Sequence, residues 1–140
     1  IKFYPNPNEF AEHDRYQSND VPIFRYADIL LEKAEAILRG ANATNGDTPQ
    51  RLLNQIRAYV NAPLLDHAPS LKDILDERGR EFFDENWRRN DMIRFGTFES
   101  EYGFHRKGFA NANIDKQHRV FPVPTSVMEE NTNWKQNAGY

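Results

Sequence analysis

The chain has 140 residues, 28% of them charged and 39% hydrophobic, and a formal net charge of −3 at pH 7. That length suits one domain. A slightly acidic balance with no basic, aromatic-interleaved stripe argues against a nucleic-acid binder. The absence of cysteine excludes disulfides and thiolate metal sites. No apolar run approaches the ~20 residues of a membrane-spanning helix. The chain opens at Ile1-Lys-Phe-Tyr without a methionine, so it reads as a fragment, in which a missing targeting signal carries no information.

Residues 1–20 hold Pro5, Pro7 and mixed charge and read as an extended lead-in. A helix is expected next, capped by Asp20 with Pro22 in its first turn and closed by Gly40; Ala27, Leu30, Leu31, Ala34, Ile37 and Leu38 form its apolar face. After a polar loop, Asp47 or Thr48 caps a second helix that carries Leu52, Leu53, Ile56, Tyr59 and Val60 and stops at Pro63. Two helices across a short loop, with small residues at Ala27 and Ala34, predict an αα-hairpin of tetratricopeptide type, which needs a neighbour to cover its apolar face.

That neighbour is a third helix from Leu71 to Asp84 or Glu85, begun by a capping box between Ser70 and Asp73. Its apolar stripe runs Leu71, Ile74, Leu75, then meets Arg78 where hydrocarbon is due, and resumes at Phe82. Around it stand Glu77, Glu81 and Glu85, followed by Arg88, Asp91 and Arg94. A guanidinium threaded into an apolar stripe is tolerable only when carboxylates pair with it. Arg78 and Arg88 are therefore expected to be the buried cations, with Glu81, Glu85 and Asp91 as partners.

Asn86 is expected in the left-handed region, and a short helix from Asn90 to Phe95 should close at Gly96. From Thr97 to Gln117 periodicity fails, which predicts a long loop. The prolines make Arg119-Val-Phe-Pro-Val-Pro124 extended, Thr125 or Ser126 should cap a last turn to Glu130, and Trp134 and Tyr140 should dock the tail.

These segments together resemble the C-terminal part of the SusD/RagB family, the surface glycan-binding lipoproteins of Bacteroidetes. The resemblance rests on Val21-Pro-Ile-Phe-Arg-Tyr-Ala-Asp-Ile-Leu-Leu-Glu-Lys-Ala-Glu-Ala, on Leu53-Asn-Gln-Ile-Arg57, on Glu77-Arg78, Glu81, Glu85-Asn86-Trp87-Arg88, Asp91-Met92 and Arg94, and on the ending Phe121-Pro-Val-Pro124, Asn131, Asn133 and Gln136-Asn137-Ala138-Gly139-Tyr140. The chain departs at Asn86, where the family usually has Gly, and at Ala138, where it often has Pro. The resemblance implies an all-α fold of TPR-like hairpins with long irregular loops. Residues 21–140 would be a C-terminal fragment of a larger protein that binds oligosaccharides without cleaving them. It implies no cofactor. It also implies a SusC-like TonB-dependent transporter as partner, an outer-membrane surface location, and membrane attachment only through an N-terminal lipid anchor outside this chain.

The candidate sites follow from residue chemistry. Glu77, Glu81 and Glu85 stand one helical turn apart, a spacing compatible with glycoside hydrolysis; structural ion pairing with the adjoining arginines is the favoured reading, and a small helical hydrolase the third. Core packing is expected for Tyr26, Tyr59, Phe82, Phe83 and Phe121, and a packing wedge for Trp87. Tyr102, Phe104, Arg106, Phe109 and Asn111, in the long loop, are the best ligand-facing candidates, because sugars stack on aromatic rings and bond to polar neighbours. Packing of the loop onto the rest of the protein or onto the transporter is nevertheless the favoured reading. His13, His67, His105 and His118 are too scattered for a metal motif. The Asx-rich stretches Asn8 to Asp20 and Asn111 to Asp115 lack EF-hand spacing. A TPR-like protein-interaction module without glycan binding is the second functional reading.

Overall fold

A computed structural model describes residues 22–101 and 116–140, together with Asn8. Its helices are α1 (Tyr26–Leu38), α2 (Pro49–Tyr59), α3 (Leu71–Glu81), α4 (Arg88–Phe95), α5 (Phe98–Glu101) and α6 (Thr125–Glu130), with a 3-10 turn at Lys116–Arg119. Among the described residues there is no strand. The lead-in at 1–20, apart from Asn8, and the loop at 102–115 lie outside them.

α1 begins at Tyr26, later than the Pro22 start expected, because Arg25 is extended and its side chain reaches back across the molecule. Its end is sealed by Gly40, whose left-handed φ of 103° lets the Gly40 and Ala41 N–H groups donate to the Ile37 and Ala36 carbonyls. Thr48 caps α2 by accepting from the Arg51 N–H, and Pro49 sits in its first turn. Asn61 closes α2 with the same backbone arrangement. The connection to α3 is fixed by side-chain amides: Asn54 accepts the Leu65 N–H, and Asn54 and Gln50 both donate to the Leu65 carbonyl.

The capping box at the start of α3 is present, with Ser70 and Asp73 bonded reciprocally. α3 stops at Glu81, short of the Asp84 or Glu85 end expected, since the chain turns through left-handed Asp84 and Asn86. α4 starts at Arg88 and ends at left-handed Gly96. Short helix α5 stands at the start of what the lost periodicity marked as loop. α6 is preceded by Pro124, and no hydroxyl caps it.

α1 packs on both α2 and α3, α3 packs on α4, and α4 on α5. The core gathers Leu30, Leu31 and Ala34 from α1, Leu52, Leu53 and Ile56 from α2, Ile74 from α3, and Phe82. Burying such aliphatic side chains contributes about 1.5–3 kcal/mol each. The tail folds back on the 120–123 segment through amides that imitate strand pairing. Gln136 accepts the Val123 N–H and donates to the Val123 carbonyl, Asn137 donates to the Phe121 carbonyl, and the Tyr140 hydroxyl donates to the Val120 carbonyl.

Candidate functional site

Arg78 and its partners lie where α1, α3 and α4 meet. Arg78, Asp28 and Asp91 are each 1% exposed. Helical spacing puts Arg78 on the buried face of α3, behind Ile74 and Leu75. Its Nη1 donates to Asp28 Oδ1 at 2.6 Å and its Nε to Asp91 Oδ1 at 2.8 Å. The guanidinium plane lies over the rings of Phe82 and Trp87, a placement that suits a weakly hydrated planar cation. Asp28 comes from the first turn of α1 and Asp91 from the first turn of α4, so one side chain ties three helices.

Three further sets of ion pairs surround this cluster. Arg94 donates to Asp91 and to Glu35, which also accepts from Arg39. Burial works against the charged form of Arg94, yet its bonds to Glu35 and Asp91 hold its pKa above the ordinary value. Arg25 forks onto Glu85 through Nε and Nη2, both at 2.9 Å, and onto Glu81 through Nη1 at 2.7 Å. The Glu85 bond leads in raising the Arg25 pKa. Glu77 accepts from Arg57 of α2 and Arg80 of its own helix.

The structure reassigns several partners expected from sequence. Glu81 and Glu85 hold Arg25, not Arg78. Arg88 is half-buried and donates to the Leu75 carbonyl at 2.8 Å, where a carboxylate was expected. Gly79 makes that bond possible: a Cβ there would stand 2.9 Å from Arg88 Nη1. Asp28, Glu35 and Arg25 were missed, because α1 read as an ordinary amphipathic helix; Asp28 and Glu35, one helical turn from Leu31 on the buried side, were the available signal. Asp28 Oδ2, Glu35 Oε2 and Asp91 Oδ2 are buried without a partner. Among the described residues no cluster of His, Asp or Glu could hold a metal ion. Glu77, Glu81 and Glu85 are each engaged by arginine, an arrangement for holding helices together.

The chain matches the sequence profile of the SusD family over residues 2–140. It belongs to the SusD family. It is 32% identical, over 140 residues, to the starch-binding protein SusD of Bacteroides thetaiotaomicron, in an alignment covering 98% of this chain and 24% of that protein. The chain thus spans about a quarter of the length of the relative it matches. The helical, TPR-like architecture is that of the SusD family.

Tyr102, Phe104, Arg106, Phe109 and Asn111 lie outside the described residues. Of the five aromatics expected in the core, Phe82 is buried, while Tyr26, Tyr59, Phe83 and Phe121 are exposed. Tyr26 and Tyr59 flank a groove of about 670 Å³ lined by Leu30 and Ile56 and, at one end, by Glu81 of α3. Phe83 follows the end of α3 and lines, with Phe82, Asp84 and Asn86, a second groove of about 530 Å³. Phe121 lies under the Arg89 guanidinium, 4.3 Å from its centre. Trp87 is half-buried, packed on the core and 5.6 Å from the Phe24 ring. His67 is exposed beside Asp66, and His118 is half-buried.

Proposed function

We propose that this chain is the helical scaffold portion of a cell-surface glycan-binding protein, and that the whole protein passes oligosaccharides to a SusC-like TonB-dependent transporter in the outer membrane. The observation that carries this reading is the SusD-family match over nearly the whole chain, with 32% identity to a starch-binding protein. The protein binds and does not cleave, and it is held at the surface by an N-terminal lipid. In this reading the arginine network is architecture: it locks α1, α3 and α4 in one arrangement, so that surfaces around it are presented rigidly. Reading residues 21–140 as a unit within a larger polypeptide fits the quarter-length coverage of that relative.

The test is retardation of the full-length protein in a native gel containing starch or another polysaccharide, with co-purification of the transporter as a second readout. Retardation by at least one polysaccharide is expected. A second reading, a helical protein-interaction module with no glycan role, draws on the open groove flanked by Tyr26 and Tyr59. It predicts transporter or other protein capture with no retardation by any polysaccharide. Hydrolysis of any tested glycan, lost on Glu81→Gln with the fold intact, would instead favour an enzyme.

A further inference from the structure

The groove beyond the end of α3 combines features that the scaffold role does not use. Phe83, at 74% exposure, presents its ring to solvent at the groove rim. Asp84 and Asn86 line the same groove, and their side chains make no hydrogen bond or ion pair among the described residues. Both hold left-handed backbones, with φ of 66° and 64°. Glycine is the unstrained occupant of that conformation, so each position keeps a polar side chain at a conformational cost. Arg88 forms a wall, anchored by one bond to the Leu75 carbonyl, with Nε and Nη2 making no hydrogen bond among the described residues.

The base of this groove is rigid. The turn that carries Phe83, Asp84 and Asn86 is pinned on one side by Arg25, which grips the Glu81 carbonyl and the Glu85 carboxylate. On the other side Phe82 is buried against the Arg78 guanidinium. A flat ring, a carboxylate, a carboxamide and a forked donor therefore converge on a cleft of about 530 Å³, within the size range of small-molecule sites. A pyranose has the complementary form: an apolar C–H face, and equatorial hydroxyls that accept from a guanidinium and donate to a carboxylate.

We propose that this groove is a saccharide subsite, in which Phe83 stacks on one face of a sugar ring while Asp84, Asn86 and Arg88 bind its hydroxyls. The proposal rests on the glycan-binding reading and names a place where the chain itself touches the ligand. Full-length protein is titrated calorimetrically with maltoheptaose and with a panel of oligosaccharides of other linkage. Phe83→Ala and Asn86→Gly remove the ring and the carboxamide; the first side chain is exposed and the second variant suits the backbone, so both should fold. Each is expected to weaken binding about fivefold, with Phe83→Trp restoring it. Hydroxyl-radical footprinting of the sugar-free protein should label Phe83, and sugar should protect it. Unchanged affinity in the double variant would overturn the subsite and leave glycan binding intact. Phe83 unlabelled without sugar would also overturn it, placing the ring under another part of the protein. No binding of any saccharide by the parent protein would remove both this proposal and the reading beneath it.

Discussion

A guanidinium that is 1% exposed has given up its hydration, and two carboxylates on separate helices replace it. Such a pair contributes little over a hydrophobic replacement, but removing one partner strands the other charge and costs about 3–5 kcal/mol. Asp91→Asn should therefore lower the unfolding free energy by about that amount, measured by urea denaturation. Arg78→Lys should be nearly as harmful, since an ammonium cannot fork between Asp28 and Asp91 or lie flat on Phe82. Arg80→Ala removes only the exposed partner of buried Glu77, which Arg57 still holds, and should shift stability by no more than ~1 kcal/mol. Equal losses at Arg80 and Asp91 would contradict the burial-based ranking. The burial of Arg78 was legible because a charge interrupts an apolar stripe at helical spacing. Its partners were not: Asp28 lies fifty residues away and Asp91 thirteen, and periodicity within one helix carries no information about which other helix faces it.

Within α3, the capping box and Gly79 make separable demands. Ser70 donates through Oγ and through its N–H to Asp73 Oδ2, both at 2.7 Å. These bonds hold the Asp73 carboxyl below its usual value of 3.8, the Ser70 side chain contributing most. A folded-state pKa below the unfolded one means this contribution is complete above the unfolded value and disappears as pH falls through the folded value. Ser70→Ala should cost about 1 kcal/mol near neutral pH, and the difference from the parent should shrink in unfolding measurements taken toward about pH 3. A gap that widens on acidification would refute the linkage. Gly79 opposes helix propensity, since alanine there is favoured by about 0.5–1 kcal/mol. Against that, a Cβ 2.9 Å from Arg88 Nη1 would displace the guanidinium from the Leu75 carbonyl, a charged hydrogen bond contributing about 1.5–3 kcal/mol. Gly79→Ala should destabilise the parent by roughly 1 kcal/mol, yet stabilise an Arg88→Ala background by a similar amount. That reversal of sign, read by thermal unfolding, separates clearance for Arg88 from a general need for glycine.

Across the whole molecule, the apolar faces of α1 to α3, the Thr48 cap of α2, the capping box of α3 and the glycine ends at Gly40 and Gly96 were readable from spacing and turn residues. The starts of α1 and α4, the uncapped start of α6 and the short helix α5 were not, because no capping side chain or apolar period marks them. The exposed positions of Tyr26, Tyr59, Phe83 and Phe121 were not readable, since an aromatic at helical spacing looks the same whether or not another element covers it. The attachment of the tail was likewise invisible to periodicity. It depends on Gln136 and Asn137 amides closing on the 121–123 backbone, and on a few bonds from that unit to the helices. Arg89 of α4 is central to those bonds: its Nη2 donates to the His118 carbonyl at 2.6 Å, and its plane lies over both Phe98 and Phe121. Arg119 adds a pairing with Glu99 of α5, which holds the Glu99 carboxyl below its ordinary range. Arg89→Ala removes one charged hydrogen bond and two cation–ring contacts, together worth about 2–3 kcal/mol of local stability. Amides of residues 120–140 should then exchange with deuterium at least about tenfold faster, while those of α1 to α3 keep their rates. Arg89→Lys should restore little, because an ammonium cannot cover two rings and reach the carbonyl together. Uniformly faster exchange through α1 and α2 would mean that Arg89 supports the core itself, and the tail would have to be counted as part of the same cooperative unit.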